Sequence, residues 1–171
     1  MSKALIIYYS REGENYVNGS IKSIEKGNTE IVVEYIKELI DADLFKVETV
    51  KEYDKSYMTC IEEAKKELHE NARPELKHYL EDISKYENVI VAGPCWWGTY
   101  PMAIFTQLDR LDFTDKNVYP IMTHEGSGLS GAPQALKDHC KGSEVCEGLA
   151  IHGGNVNDAK PLIVKWLKNI E

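Results

Sequence analysis

No apolar run in this chain of 171 residues approaches the roughly 18 residues a membrane span requires, because a charged residue interrupts every candidate. Positive charge is in deficit too. Twenty basic residues stand against 28 acidic ones, a net charge of −8, which disfavours nucleic acid and anionic membrane as partners, since both require a basic face. Cysteine is sparse. Cys60, Cys95, Cys140 and Cys146 form neither a C-x-x-C pair nor a zinc spacing, and are expected to be free thiols in a reducing compartment. His139 and His152, taken with Cys140 and Cys146, lack regular ligand spacing, so no metal site is expected. The Walker signature G-x-x-x-x-G-K-[ST] is missing, and no G-x-G-x-x-G stands at the first strand–helix junction. No repeat, low-complexity tract or Pro/Gly-rich linker divides the chain, which reads as one domain over residues 1–171. The opening MSKALIIYYS has too short an apolar stretch for a signal peptide; it reads as a first strand, and the expected location is the cytoplasm.

What is present is alternation. Leu5 to Tyr9 is a short continuous apolar run, the pattern of a strand buried on both faces. After a polar stretch to Gly27, TEIVVEYIKELI places Val32, Ile36, Leu39 and Ile40 on one helical face, with Asn28 as its expected N-cap. ADLFKVETV alternates as a half-exposed or edge strand does. Residues 55–70 predict a helix with Met58, Ile61, Ala64 and Leu68 inward. A second helix is predicted from Pro74, carrying Leu76, Tyr79, Leu80 and Ile83. NVIVAG, NVYPIMT and EVCEGLAIHG predict three further strands, with Pro120 a blemish in the middle one. The helices PMAIFTQLDRL, GAPQALKDHC and NDAKPLIVKWLKNI follow those strands in turn, the last with Leu162, Ile163, Trp166, Leu167 and Ile170. Five strand–helix units predict an α/β fold, an open, doubly wound five-stranded parallel sheet with helices on both faces. Ligands of such sheets bind beyond the carboxyl ends of the strands, where the strand order reverses.

Three loops belong at that end. The first leaves strand one at Ser10 and enters its helix at Gly27-Asn28-Thr29, where free backbone N–H groups and hydroxyls suit a phosphate. The second is GPCWWGTYP. Pro94 and Pro101 stiffen it, Cys95 fits as a small residue in a tight turn, Gly98 permits a positive φ, and Trp96 and Trp97 cannot both point into the sheet. Either tryptophan is core, or it offers a wall to a flat heteroaromatic ring. The third loop, Thr123-His124-Glu125-Gly126-Ser127-Gly128, is either a surface turn or a set of backbone groups for the polar edge of such a ring.

On these residues the chain resembles the flavodoxin family over essentially its full length. The similarity is to the bacterial branch with a P-x-W-W-G loop after the third strand and T-H-E-G-S-G after the fourth. The resemblance implies the sheet order 2-1-3-4-5 and an FMN cofactor. Its phosphate would lie at Ser10, Gly27, Asn28 and Thr29, and its isoalloxazine between the loops Pro94–Gly98 and Thr123–Gly128. It also implies a peptide, Gly98–Thr99, that turns over when the cofactor is reduced. The chain departs from the family by inserting Arg11 to Lys26 between the two parts of the phosphate loop. This insertion is either an outward flap or a segment whose Asn15-Tyr16 reaches the cofactor.

Two functions compete on this footing. One is an electron carrier between redox partner proteins, for which an acidic surface is apt. The other is a small NAD(P)H-dependent FMN oxidoreductase acting on a quinone, azo or nitro compound. A cofactor-free interaction protein is a third. His124 is expected either to donate to the flavin's carbonyl edge or to be solvated. No catalytic acid–base pair is required under the carrier reading, and the oligomeric state is open.

Overall fold

The computed structural model describes residues 3–170. Its strands and helices follow in the order β1 (Ala4–Tyr8), β2 (Gly13–Val17), β3 (Ser20–Ile24), α1 (Asn28–Leu39), β4 (Ala42–Lys46), α2 (Tyr57–His69), β5 (Asn88–Pro94), α3 (Met102–Leu108), β6 (Asn117–His124), α4 (Ala132–His139), β7 (Glu144–Val145), β8 (Leu149–His152) and α5 (Lys160–Leu167). The main sheet is parallel throughout, in the order β4-β1-β5-β6, and the far side of β6 carries β7 and β8 one after the other. Counted along the chain, this is the expected order 2-1-3-4-5.

Each central strand is buried on both faces because it feeds two cores. Leu5, Ile7, Val89 and Val91 pack on the side of α3 and α4, with Ile104, Phe105, Leu108 and Leu136. Ala4, Ile6, Ile90 and Ile121 pack on the side of α1 and α5, with Val32, Val33, Ile36, Ile163 and Trp166. The period of two in strands divides their apolar residues between these layers. The α1 stripe is Thr29, Val32, Val33 and Ile36, so Leu39 falls outside it, and Leu162 of α5 is exposed as well.

Four sequence expectations are corrected. The stretch from Pro74 to Ile83 is not a helix. Its backbone groups find partners elsewhere: Val50 N–H donates to Glu75 O, Lys77 N–H to Glu48 O, and the buried Gln107 side chain clamps Leu80. The Gln107 Oε1 accepts the Leu80 N–H at 2.8 Å while its Nε2 donates to the Leu80 carbonyl at 2.9 Å. In α2 only Cys60 and Ala64 are buried, and Met58 is 56% exposed. The fifth strand is broken into β7 and β8. Val118 O accepts the Cys146 N–H, so by the alternation of the ladder Pro120 faces the same side, where it has no N–H to give. Gly148 crosses Pro120 so closely that a Cβ there would lie 2.7 Å from the Pro120 carbonyl oxygen. Finally, Gly27 rather than Asn28 is the N-cap of α1.

The segment after β1 forms a two-stranded antiparallel sheet of its own, β2 with β3. Its turn is Asn18-Gly19 with φ of 51° and 86°. An Asn-Gly pair of positive φ is the favoured two-residue hairpin turn, a signal in the sequence that the spacing of apolar residues conceals.

Candidate functional site

A cleft of about 510 Å³ opens at the carboxyl ends of β5 and β6, within the range of small-molecule sites. The three loops contribute Asn28 and Thr29, Pro94 to Trp97, and Thr123 to Ser127 to its lining. Ser10, Gly27, Gly98 and Gly128 do not line it. Two further segments line it, one of them the insertion whose Asn15-Tyr16 the sequence offered as a contributor. The hairpin brings Arg11, Asn15 and Tyr16, and α2 brings Tyr57, Cys60, Ile61 and Ala64. The two buried residues of α2, Cys60 and Ala64, are themselves part of the cleft wall, which helical periodicity alone does not reveal.

At one end of the cleft lies the start of α1. Ser10 Oγ accepts the Glu30 N–H at 3.1 Å and so supplies the cap that Gly27 cannot. A Cβ on Gly27 would fall 2.0 Å from that hydroxyl and 2.7 Å from the Arg11 carbonyl oxygen, so the two strands of loop meet only because this residue is glycine. Thr29, 1% exposed, shares a hydrogen bond of 2.9 Å with the Thr123 hydroxyl and thereby ties the first loop to the third. The N–H groups of Asn28 and Thr29 have no protein acceptor among the described residues, leaving the positive end of a twelve-residue helix open to an anion. The Arg11 guanidinium donates to the carbonyl oxygens of Glu14, Asp54 and Lys55.

The other end is aromatic. Trp96 and Thr99 exchange backbone hydrogen bonds around Trp97-Gly98, whose φ values are 56° and 87°. This is a type I′ turn with tryptophan where asparagine is usual. Trp96 packs edge-on to Tyr9 and Tyr53 at 5.1 and 5.0 Å, against the core. Trp97 is 48% exposed, fixed by its indole N–H on the Ile61 carbonyl and by the Lys65 ammonium over its ring. Across α2, Tyr16 stacks on Tyr57 at 6.1 Å.

The expected turnover of the Gly98–Thr99 peptide meets an obstacle. Gly98 O accepts the Gly131 N–H at 2.9 Å, and Thr99 N–H donates to Trp96 O, so both ends of that peptide are engaged. The Trp97–Gly98 peptide has no such bonds among the described residues. Turning it alone would convert the turn to type II′, which calls for glycine at the position Trp97 holds.

His124 closes the polar side. Its Nδ1 accepts the Gly126 N–H at 2.9 Å, which leaves the neutral ring carrying its proton on Nε2. Burial and the neighbouring His152 push its pKa down, against an opposing pull from Glu125. Cys60 is pushed up to about 11 by burial, and Cys95 Sγ accepts from the Ser127 hydroxyl at 3.3 Å. Among the described residues no cluster of His, Cys, Asp and Glu could hold a metal ion, and no helix is long and apolar enough to cross a membrane.

Comparison with known proteins bears on the fold and the family. No curated protein sequence matches the chain. Solved structures do. A candidate flavoprotein from Bacteroides uniformis ATCC 8492 aligns with a TM-score of 0.76 at 22% identity, covering 98% of each chain. A flavoprotein from Lactobacillus acidophilus NCFM, solved in complex with FMN, aligns at 0.68 and 23% identity over 92% of this chain and 98% of its own. A flavodoxin of Fusobacterium nucleatum bound to flavin mononucleotide gives 0.53 and 17% over 99% and 97%. These likenesses show a shared fold. The model of the family described as Flavodoxin matches residues 22–170, and with that match over most of its length the chain belongs to the flavodoxin family.

Proposed function

We propose that this protein holds one FMN in the cleft between its three loops and serves as a flavodoxin-like electron-transfer protein. The observation that carries the reading is the polarity of the cleft, with an open helix start at Asn28-Thr29 at one end and the rigid Trp96–Thr99 turn at the other. FMN supplies the redox chemistry when bound. The chain's part is to bind and orient it. The N–H groups of Asn28 and Thr29 would hold the phosphate, Trp97 would lie along the ring, and His124 would present Nε2–H to the ring's carbonyl edge. The two FMN-bound relatives support the choice of cofactor.

One observation favours the alternative, an NAD(P)H-dependent FMN oxidoreductase. Two aromatic groups border the cleft, the Trp97 turn and the Tyr16–Tyr57 stack, more flat surface than one ring system requires. Reconstitution with FMN followed by anaerobic NADPH decides between them. Bound flavin whose absorbance persists under NADPH supports the carrier, and rapid bleaching supports the reductase. A protein that retains no flavin overturns both.

A further inference from the structure

The β2–β3 hairpin is fastened to the molecule on opposite sides of the cleft. At its root Arg11 donates to the carbonyl oxygens of Asp54 and Lys55 at 2.9 and 3.1 Å, and the Glu14 carboxylate accepts the Tyr57 N–H at 2.9 Å. At its tip the Asn18 N–H donates to Glu125 Oε1 at 2.8 Å. The Asn18 side chain lies against Gly154, where a Cβ would fall 2.0 Å from its Oδ1. Between these fastenings Asn15 and Tyr16 line the cleft. Apart from these fastenings and the Tyr16–Tyr57 stack, little among the described residues holds the hairpin down: Ser20 to Ser23 are all exposed, and neither strand pairs with the main sheet. Elements with few buried apolar contacts open locally at far lower cost than the whole fold. The contacts at the tip, with the charge-assisted Asn18–Glu125 bond foremost, then weigh heavily in whether the hairpin stays across the cleft.

We infer that Glu125 is the latch of this hairpin, a positioning residue that holds Tyr16 over the cleft and sets how fast a ligand enters and leaves. The inference rests on the FMN reading only for the identity of that ligand. The carboxylate suits the task because an acceptor with full charge bonds a backbone N–H more strongly than a neutral one. The tip suits it because its turn projects the Asn18 N–H away from the hairpin's own ladder.

Native-state hydrogen exchange tests the latch without any ligand. In Glu125→Ala the Asn18 amide and its neighbours should exchange about tenfold faster or more, the equivalent of one lost charge-assisted bond. Glu125→Gln keeps an acceptor oxygen and should restore most of the protection. Gly154→Leu leaves the carboxylate in place and wedges the tip away, so it should mimic Glu125→Ala. FMN then reports the gating: its release should quicken in both open variants. An Asn18→Cys/Gly154→Cys pair should slow release when oxidised and return to normal with dithiothreitol. A Cβ at 154 would face Asn18 Cγ, where the cysteine sulfur would sit, at 2.6 Å; a disulfide needs about 3 Å there, so the bridge forms with a small outward shift of the tip. Equal exchange in wild type and Glu125→Ala overturns the latch, and unchanged release from the oxidised pair overturns the gating. If the protein takes up no FMN, the cofactor reading fails, and the exchange rates alone decide the latch.

Discussion

The two adjacent tryptophans have separate duties, and single substitutions should separate them. Trp96 is wedged among Tyr9, Tyr53 and the core, so Trp96→Ala should cost about 3 kcal/mol of stability in urea melts, as large aromatic deletions do. Trp97 is half exposed and sits at a φ that only glycine adopts freely. Trp97→Ala should leave the melting midpoint nearly unchanged while weakening FMN binding and removing the tryptophan emission that bound flavin quenches. Comparable loss of stability in both variants would make Trp97 a core residue. At Gln107 the matter is hydrogen bonding. Gln107→Leu strands the N–H and C=O of Leu80 together, and should destabilise by about 1–3 kcal/mol, the cost of partly buried groups left unpaired.

The elements differ in how plainly the sequence announces them. Strands β1, β5 and β6 are continuous apolar runs, and their doubly buried state follows from that alone. The stretch from Pro74 onward has a helical spacing of Leu76, Tyr79, Leu80 and Ile83, yet its conformation is set by Gln107 and by residues 48 to 50, far away in sequence. No local pattern encodes that. The same holds for α2 as a cleft wall, because what a helix faces depends on neighbours that periodicity does not name. The three site loops were legible as glycine- and proline-marked segments at strand ends, whereas the use of Ser10 as a cap for α1 was not.

The 70–74 turn is joined to α3 by Arg73, which donates to Asp109 Oδ2 at 2.7 Å, while His139 Nδ1 lies 3.0 Å from the other carboxylate oxygen. Burial opposes ionisation of Asp109, but Arg73 and His139 outweigh it and hold its pKa below the usual carboxylate range. A carboxylate with a lowered folded pKa stabilises above its unfolded value, about 3.9, and loses that contribution as pH falls through the folded one. Asp109→Asn should therefore lower the urea midpoint at pH 7 and lower it by less near pH 2. A constant gap at both pH values would assign the loss to packing.

At the scale of the whole molecule the sheet brings three loops to one edge, and the shared hydroxyl bond between Thr29 and Thr123 joins the first of them to the third. His124 stands within that arrangement, and its lowered pKa has a global consequence with a definite sign. A histidine whose folded pKa lies below about 6.5 binds its proton more readily in the unfolded chain, so stability falls as pH drops below that value. The ring resonances of His124 should titrate at lower pH than those of a free imidazole, measurable by NMR, and His124→Gln should blunt the decline between pH 7 and 5.

The gap opposite Pro120 also bears on how this protein behaves in a crowded solution. An uninterrupted strand at the margin of a sheet is a template on which another chain can grow. Here the margin beyond β6 is two residues, a break, and four more, too short and too discontinuous to template a neighbour. Pro120→Val would give β6 back its missing donor and invite the two pieces to fuse into one long margin. The expected result is a protein of near-normal stability that scatters light at concentrations where the wild type stays clear. On that outcome, the residue that looks like a fault in the ladder would be what keeps this margin from templating a neighbour.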